Sequence, residues 1–253
     1  MTLTWIILFS ILGSIGAITA AAGFILLSER RQKSIISILI AFATGTLLTA
    51  AFYSLIPEAI HLTGHQSHNV MLVVIGGILF FFLLEKIIIW RNCSEPSCDI
   101  HGEAAGPIVL IGDALHNFTD GIVIAAAFLT NIMVGIAVGF AIIAHEIPQE
   151  TGDFGILIHS GMSKKKSYVA NAISSATTIP SAILSYFILG NIQIFVPYVL
   201  AISAASFIYI ALSDLTPELH QKLGIKHTIR QLVLIILGVL TLLLIFNLGG
   251  HGH

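Results

Sequence analysis

The chain has 253 residues, 56% of them hydrophobic and only 9% charged, with a mean hydropathy of +0.97 and a formal net charge of −2. This composition excludes an ordinary soluble domain, in which about a quarter of residues are charged. It also gives no basic patch of the kind that neutralises phosphates, so nucleic acid is excluded as a partner and the lipid bilayer is expected instead.

Lysine and arginine cut the chain into stretches 1–29, 34–85, 92–163, 167–221 and 231–253. A bilayer core of about 30 Å takes about 20 helical residues, so the outer stretches hold one span each and each middle stretch holds a hairpin of two. Turn-forming residues mark the hairpin tips at 61–69, at Thr130-Asn131 and at Gly190-Asn191-Ile192-Gln193. The expected fold is an all-α membrane protein of eight transmembrane helices in a single transporter-like domain, 1–253. The spans fall at about 2–28, 34–60, 69–90, 106–129, 132–160, 167–189, 194–219 and 229–247. The first run has no basic leader and is much longer than the apolar part of a secretion signal, so it reads as a span. All 11 Lys and Arg then fall on one side, which by the positive-inside rule is cytoplasmic and leaves both termini outside.

The second span ends in Ser54-Leu55-Ile56-Pro57-Glu58, and the seventh carries Ser213-Asp214-Leu215-Thr216-Pro217-Glu218. Similar Pro-Glu segments at opposite ends of oppositely directed helices suggest an inverted 3+2+3 helix repeat. His61, His65 and His68 follow the second span, and His251 and His253 end the chain; both groups can gather cations outside. The short cytoplasmic loop 91–105 carries Cys93, Cys98 and His101, a set able to hold one zinc ion. In the reducing cytosol a disulfide there is not expected.

The fourth and fifth spans hold the ionisable groups. Asp113, His116 and Asp120 form one stripe at helical spacing, with Asn117 beside it. On the fifth span His145 and Gln149 are one turn apart, Glu146 and Glu150 form the adjacent row, and Asp153 and His159 continue inward. A charged side chain mid-membrane costs roughly 2.5–3.5 kcal/mol on insertion scales, so such a set marks function. Imidazole, carboxylate and amide together suit borderline divalent metals: zinc first, with cadmium, iron(II), manganese or cobalt as competitors. Asp113, Asp153 and His159 are candidates for an exit path. Pro148 removes an N–H and frees the Ala144 carbonyl, which predicts a kink. The sixth span supplies Ser174, Ser175, Thr177 and Thr178 but no carboxylate, and Ser54, Thr177 and Thr178 taken singly read as interhelical glue. Gly135-xxx-Gly139 offers a small-residue face for a homodimer. His145-Glu146 also begins an HExxH-like string, which raises an intramembrane zinc metalloprotease as an alternative, and a membrane metal sensor is another. Gln149 replaces the second histidine that the protease needs.

The two hexapeptides His116-Asn117-Phe118-Thr119-Asp120-Gly121 and His145-Glu146-Ile147-Pro148-Gln149-Glu150 resemble the signature helices of the ZIP (Zrt-, Irt-like) metal-ion transporters, HNFxDG and, in one large branch, HExPHE. The resemblance implies a metal centre, often binuclear, between the fourth and fifth spans. It also implies movement of zinc and related ions to the cytosol by an elevator-like motion, no catalytic cofactor, no enzymatic activity, and a plasma-membrane location. By matching positions the ligands would be His116, Asn117, Asp120, His145, Glu146 and Gln149, with Glu150 closing the motif. Gln149, where the branch has histidine, is the main departure.

Overall fold

The computed structural model describes residues 1–24, 27–92, 105–221 and 224–248. Within them lie eight helices long and apolar enough to cross a membrane: α1 (Thr2–Gly23), α2 (Ser34–Leu62), α3 (Ser67–Ile87), α4 (Val109–Thr130), α5 (Ile132–His159), α6 (Lys164–Asn191), α7 (Gln193–His220) and α8 (Ile225–Asn247). The described residues contain no strand, and the chain is an integral membrane protein. Cys93, Cys98 and His101 of the predicted cytoplasmic loop, and the terminal His251 and His253, lie outside the described residues.

Local chemistry sets the turns. Asn131 sits in extended backbone between α4 and α5, and its side chain accepts the Met133 N–H at 2.7 Å, capping α5. Gly64 and His65 both take left-handed φ values, +64° and +67°, to reverse the chain between α2 and α3. Ser163 caps α6 through the Lys166 N–H.

The helices divide by burial. In α2 and α7, 61% and 67% of the apolar window is buried; in α3 and α8 the share is 17% each. The outer faces of α3 and α8 are rows of exposed aliphatic and aromatic side chains such as Leu72, Leu79, Phe82, Leu232, Ile236 and Leu240, as a lipid-facing surface requires. α2 packs along α8 and α3 along α7, while α4 packs along α5 and α6. At the first crossing the backbones nearly touch: a Cβ on Gly238 would stand 3.3 Å from the Gly45 Cα and collide with the Phe42 carbonyl.

Several helices are interrupted at matching places. α2 widens into a π-helical turn at Ala50–Leu55 directly before Ile56-Pro57-Glu58, and α7 does the same at Ile210–Leu215 directly before Thr216-Pro217-Glu218. α1 has a π-turn at Leu12–Gly16, and α6 breaks at Ala176-Thr177. α5 stays helical straight through Pro148.

The Gly135-xxx-Gly139 face is a correction. Both glycines are buried against the chain's own aromatics: a Cβ at Gly135 would strike Phe128, and one at Gly139 would strike Phe9. The stripe serves packing of α5 on α4 and α1, so it offers no surface to a second copy.

Candidate metal centre

α4 and α5 bring their polar stripes face to face in the middle of the bundle. Asn117, Asp120, His145, Glu146 and Glu150 are fully buried, and the His116 side chain is 17% exposed. His116, Asp120, His145 and Glu146 each turn one donor atom into a common space, all within 4.8 Å of one another. The two imidazole Nε2 atoms lie 3.1 Å apart. His116 Nε2 is 3.2 Å from Glu146 Oε1 and 3.7 Å from Asp120 Oδ2; His145 Nε2 is 3.4 Å from each of these oxygens.

Helix geometry prepares His145 for this role. Its Nδ1 lies 3.0 Å from the Ala141 carbonyl one turn back and donates to it, which leaves the Nε2 lone pair aimed into the cluster. The carboxylates are poised differently. Both oxygens of Asp120 and both of Glu146 are buried with no hydrogen-bond partner. Each such buried acceptor costs on the order of 1–3 kcal/mol when left unsatisfied. A divalent cation among them would satisfy these oxygens and offset the two negative charges.

Asp113, Glu146 and Glu150 form a second group with donor atoms within 4.8 Å, so Glu146 belongs to both. Asp113 therefore joins the buried centre itself, where the sequence placed it on an exit path. Asn117 donates its amide to Asp113 Oδ1 at 2.8 Å, and its carbonyl accepts the Thr178 hydroxyl at 2.8 Å. Gln149 is half-buried one turn beyond His145. Asp153 is half-buried, and His159 is exposed with Nδ1 3.3 Å from the Gly155 carbonyl; neither enters either group. His61 and His65 are exposed outside the bundle with ring centroids 6.1 Å apart, and they too stand apart from both groups.

α6 forms the back wall, and here sequence reasoning missed residues. Asn171, absent from the predicted set, is fully buried and donates to Glu150 Oε2 at 2.5 Å. Ser175 donates to Glu150 Oε1. Ser174 and Thr177 reach the Leu110 and Ala114 carbonyls of α4 at 2.8 and 2.9 Å, as the interhelical reading of Thr177 and Thr178 anticipates. Ser54, by contrast, is buried with no partner for its hydroxyl. At Gly121, the last residue of the α4 motif, α4 and α6 meet closely: a Cβ there would overlap Ser181 and the Thr178 carbonyl. The motif glycine is thus a packing residue that lets α6 reach the site.

The family model described as ZIP zinc transporter matches residues 2–103 and 94–246. Among curated proteins the chain is 31% identical to zinc transporter ZIP13 of Pongo abelii over 220 residues, covering 81% of this chain and 65% of that protein. It is 40% identical to zinc transporter foi of Drosophila melanogaster over 137 residues, covering 53% of this chain and 18% of that protein. Zinc transporter zipt-7.2 of Caenorhabditis elegans matches at 28% over 291 residues, covering 90% of this chain and 63% of that protein. The chain spans less than two thirds of the length of each of these relatives.

Proposed function

The chain belongs to the ZIP zinc transporter family, and from that premise we propose that it carries divalent transition-metal ions, zinc foremost, through the centre between α4 and α5 into the cytosol. The observation that carries this reading is the convergence of His116, Asp120, His145 and Glu146 on one buried space, with four carboxylate oxygens that accept no hydrogen bond. The chemistry of the donors favours zinc over softer or harder ions and admits cadmium, iron(II), manganese and cobalt. The second group, with Glu146 shared, offers a neighbouring oxygen-lined position for the ion. The membrane is the plasma membrane, and the confinement of Lys and Arg to one side of the spans supports external termini.

The packing supports a two-body mechanism of the elevator kind. Among the described residues, the side-chain hydrogen bonds between different spans fall within α1, α4, α5 and α6 or within α3, α7 and α8. α2 contributes none and packs along α8, so the second body is α2, α3, α7 and α8. A seam that no side-chain hydrogen bond crosses among the described residues resists sliding less than one so bonded. The paired π-turns of α2 and α7, the interruptions of α1 and α6, and the equal exposure of α3 and α8 favour the inverted repeat, which relates such bodies in transporters. The protease alternative lacks its second histidine, with Gln149 in that place.

The test is flux. Vesicles containing the purified protein should accumulate zinc down its gradient without ATP, with cadmium competing. Folded protein that moves no metal, or that cleaves a membrane substrate in a manner lost in Glu146→Gln, sinks the transporter reading.

A further inference from the structure

Among the buried carboxylates of α4 and α5, Glu150 stands out because both of its oxygens are held. Asp120 and Glu146 have no hydrogen-bond partner on either oxygen, and Asp113 has one oxygen free. Glu150 Oε2 accepts from Asn171 Nδ2 at 2.5 Å, and Oε1 accepts from Ser175 Oγ. The Ser175 hydroxyl also lies 2.9 Å from the Asn171 carbonyl, but a carboxylate is the stronger acceptor for its single proton. Asn171 is fully buried, and its own Oδ1 has no partner. Its amide orientation is therefore dictated by Glu150, since turning it over would aim a carbonyl at a carboxylate.

We propose that Asn171 and Ser175 are positioning residues that lock Glu150 into the oxygen-only group with Asp113 and Glu146, and so determine how well the path accepts an oxygen-preferring ion such as manganese relative to zinc. This rests on the metal-transport reading of the same site. Each donor occupies one lone-pair direction on Glu150, and a carboxylate has about four, so both oxygens keep lone pairs for a cation shared with Asp113 and Glu146. Left unheld, Glu150 would swing away from two like charges. The oxygen-only group would then lose one of its three contributors. The imidazole-containing group, which is built without Glu150, would keep all four of its own. Zinc, which accepts nitrogen readily, depends on the latter; manganese prefers the former.

Equilibrium binding to the full-length protein in detergent provides the test. Free manganese is read by electron paramagnetic resonance, and zinc by competition with a chromophoric chelator. Ser175→Ala and Asn171→Leu should each raise the manganese Kd about tenfold while changing the zinc Kd less than about threefold. Ser175→Thr, which keeps the hydroxyl, should bind manganese as the wild type does. The proposal is overturned if both ions weaken equally, if manganese binding is unchanged, or if Ser175→Thr behaves like Ser175→Ala. Zinc flux through the wild type judges the transport reading separately, so either idea can fail while the other stands.

Discussion

His145 shows how one side chain is arranged for the ligand role proposed for it: a backbone carbonyl one turn back holds Nδ1, and the remaining nitrogen faces the space shared with His116, Asp120 and Glu146. His145→Ala should therefore abolish zinc uptake in a protein that still folds; retained uptake would move the path elsewhere. Gln149 tests the departure from the family pattern. Gln149→His exchanges an amide oxygen for imidazole nitrogen and should raise the zinc-to-manganese ratio in competition uptake. An unchanged ratio would put Gln149 outside the coordination shell. Protons compete for the same imidazole lone pairs, because a histidine must be neutral to bind metal. Apparent zinc affinity should hold near pH 7.5 and weaken as pH falls through roughly 6.5, the ordinary histidine value. Affinity that stays flat from about pH 5 to 7.5 contradicts histidine ligation. The proposed ligand residues were conspicuous in the sequence because ionisable groups stand out in apolar spans. Asn171 was not, since an uncharged amide two turns from Lys164-Lys165-Lys166 looks like an interfacial residue.

Close approach decides what each helix can do. Gly121 lets α4 press against Ser181 and Thr178 of α6, which brings the α6 hydroxyls and Asn171 within reach of Asn117 and Glu150. Gly121→Ala should lower stability by about 1–3 kcal/mol, the usual range for overpacking a tight contact. Thermal unfolding in detergent checks this. Ser181→Ala should restore only part of the loss, because the Thr178 carbonyl stays in place. A Gly121→Ala protein as stable as wild type would mean that α6 can retreat freely. Along α5 the contrast runs the other way. Sequence spacing suggested that Gly135 and Gly139 faced a second copy, yet Phe128 and Phe9 fill that groove. A small-xxx-small stripe marks a close contact without saying whose side chain makes it.

At the scale of the molecule, the prediction concerns relative movement of two helix groups. Phe42 of α2 and Phe140 of α5 meet across the seam, with ring centroids 6.2 Å apart. Phe9 of α1 and Phe128 of α4 meet within one group at 5.4 Å. In a background with Cys93 and Cys98 replaced by serine, cysteines at 42 and 140 joined by a short reducible thiol cross-linker should arrest zinc uptake, and reduction should restore it. The same treatment at 9 and 128 should leave uptake near its uncross-linked level. Uptake that survives the 42–140 bridge would rule out sliding along this seam.

The sequence by itself determined the membrane class and the count of spans, and it named the α4 and α5 residues proposed to bind metal. Each follows from chain-local physics: an unbroken apolar run must be long enough to cross a bilayer, and charge inside it is too costly to keep without use. Only the tertiary structure decided which donors share a space. It joined Asp113 to Glu146 and Glu150, left Asp153 and His159 outside both groups, and brought Asn171 and Ser175 of α6 onto Glu150. Helical spacing fixes which residues share a face, but the neighbour that face meets depends on where backbones can touch. Here that was settled by contacts such as Gly121 against α6, which no periodicity within α4 encodes.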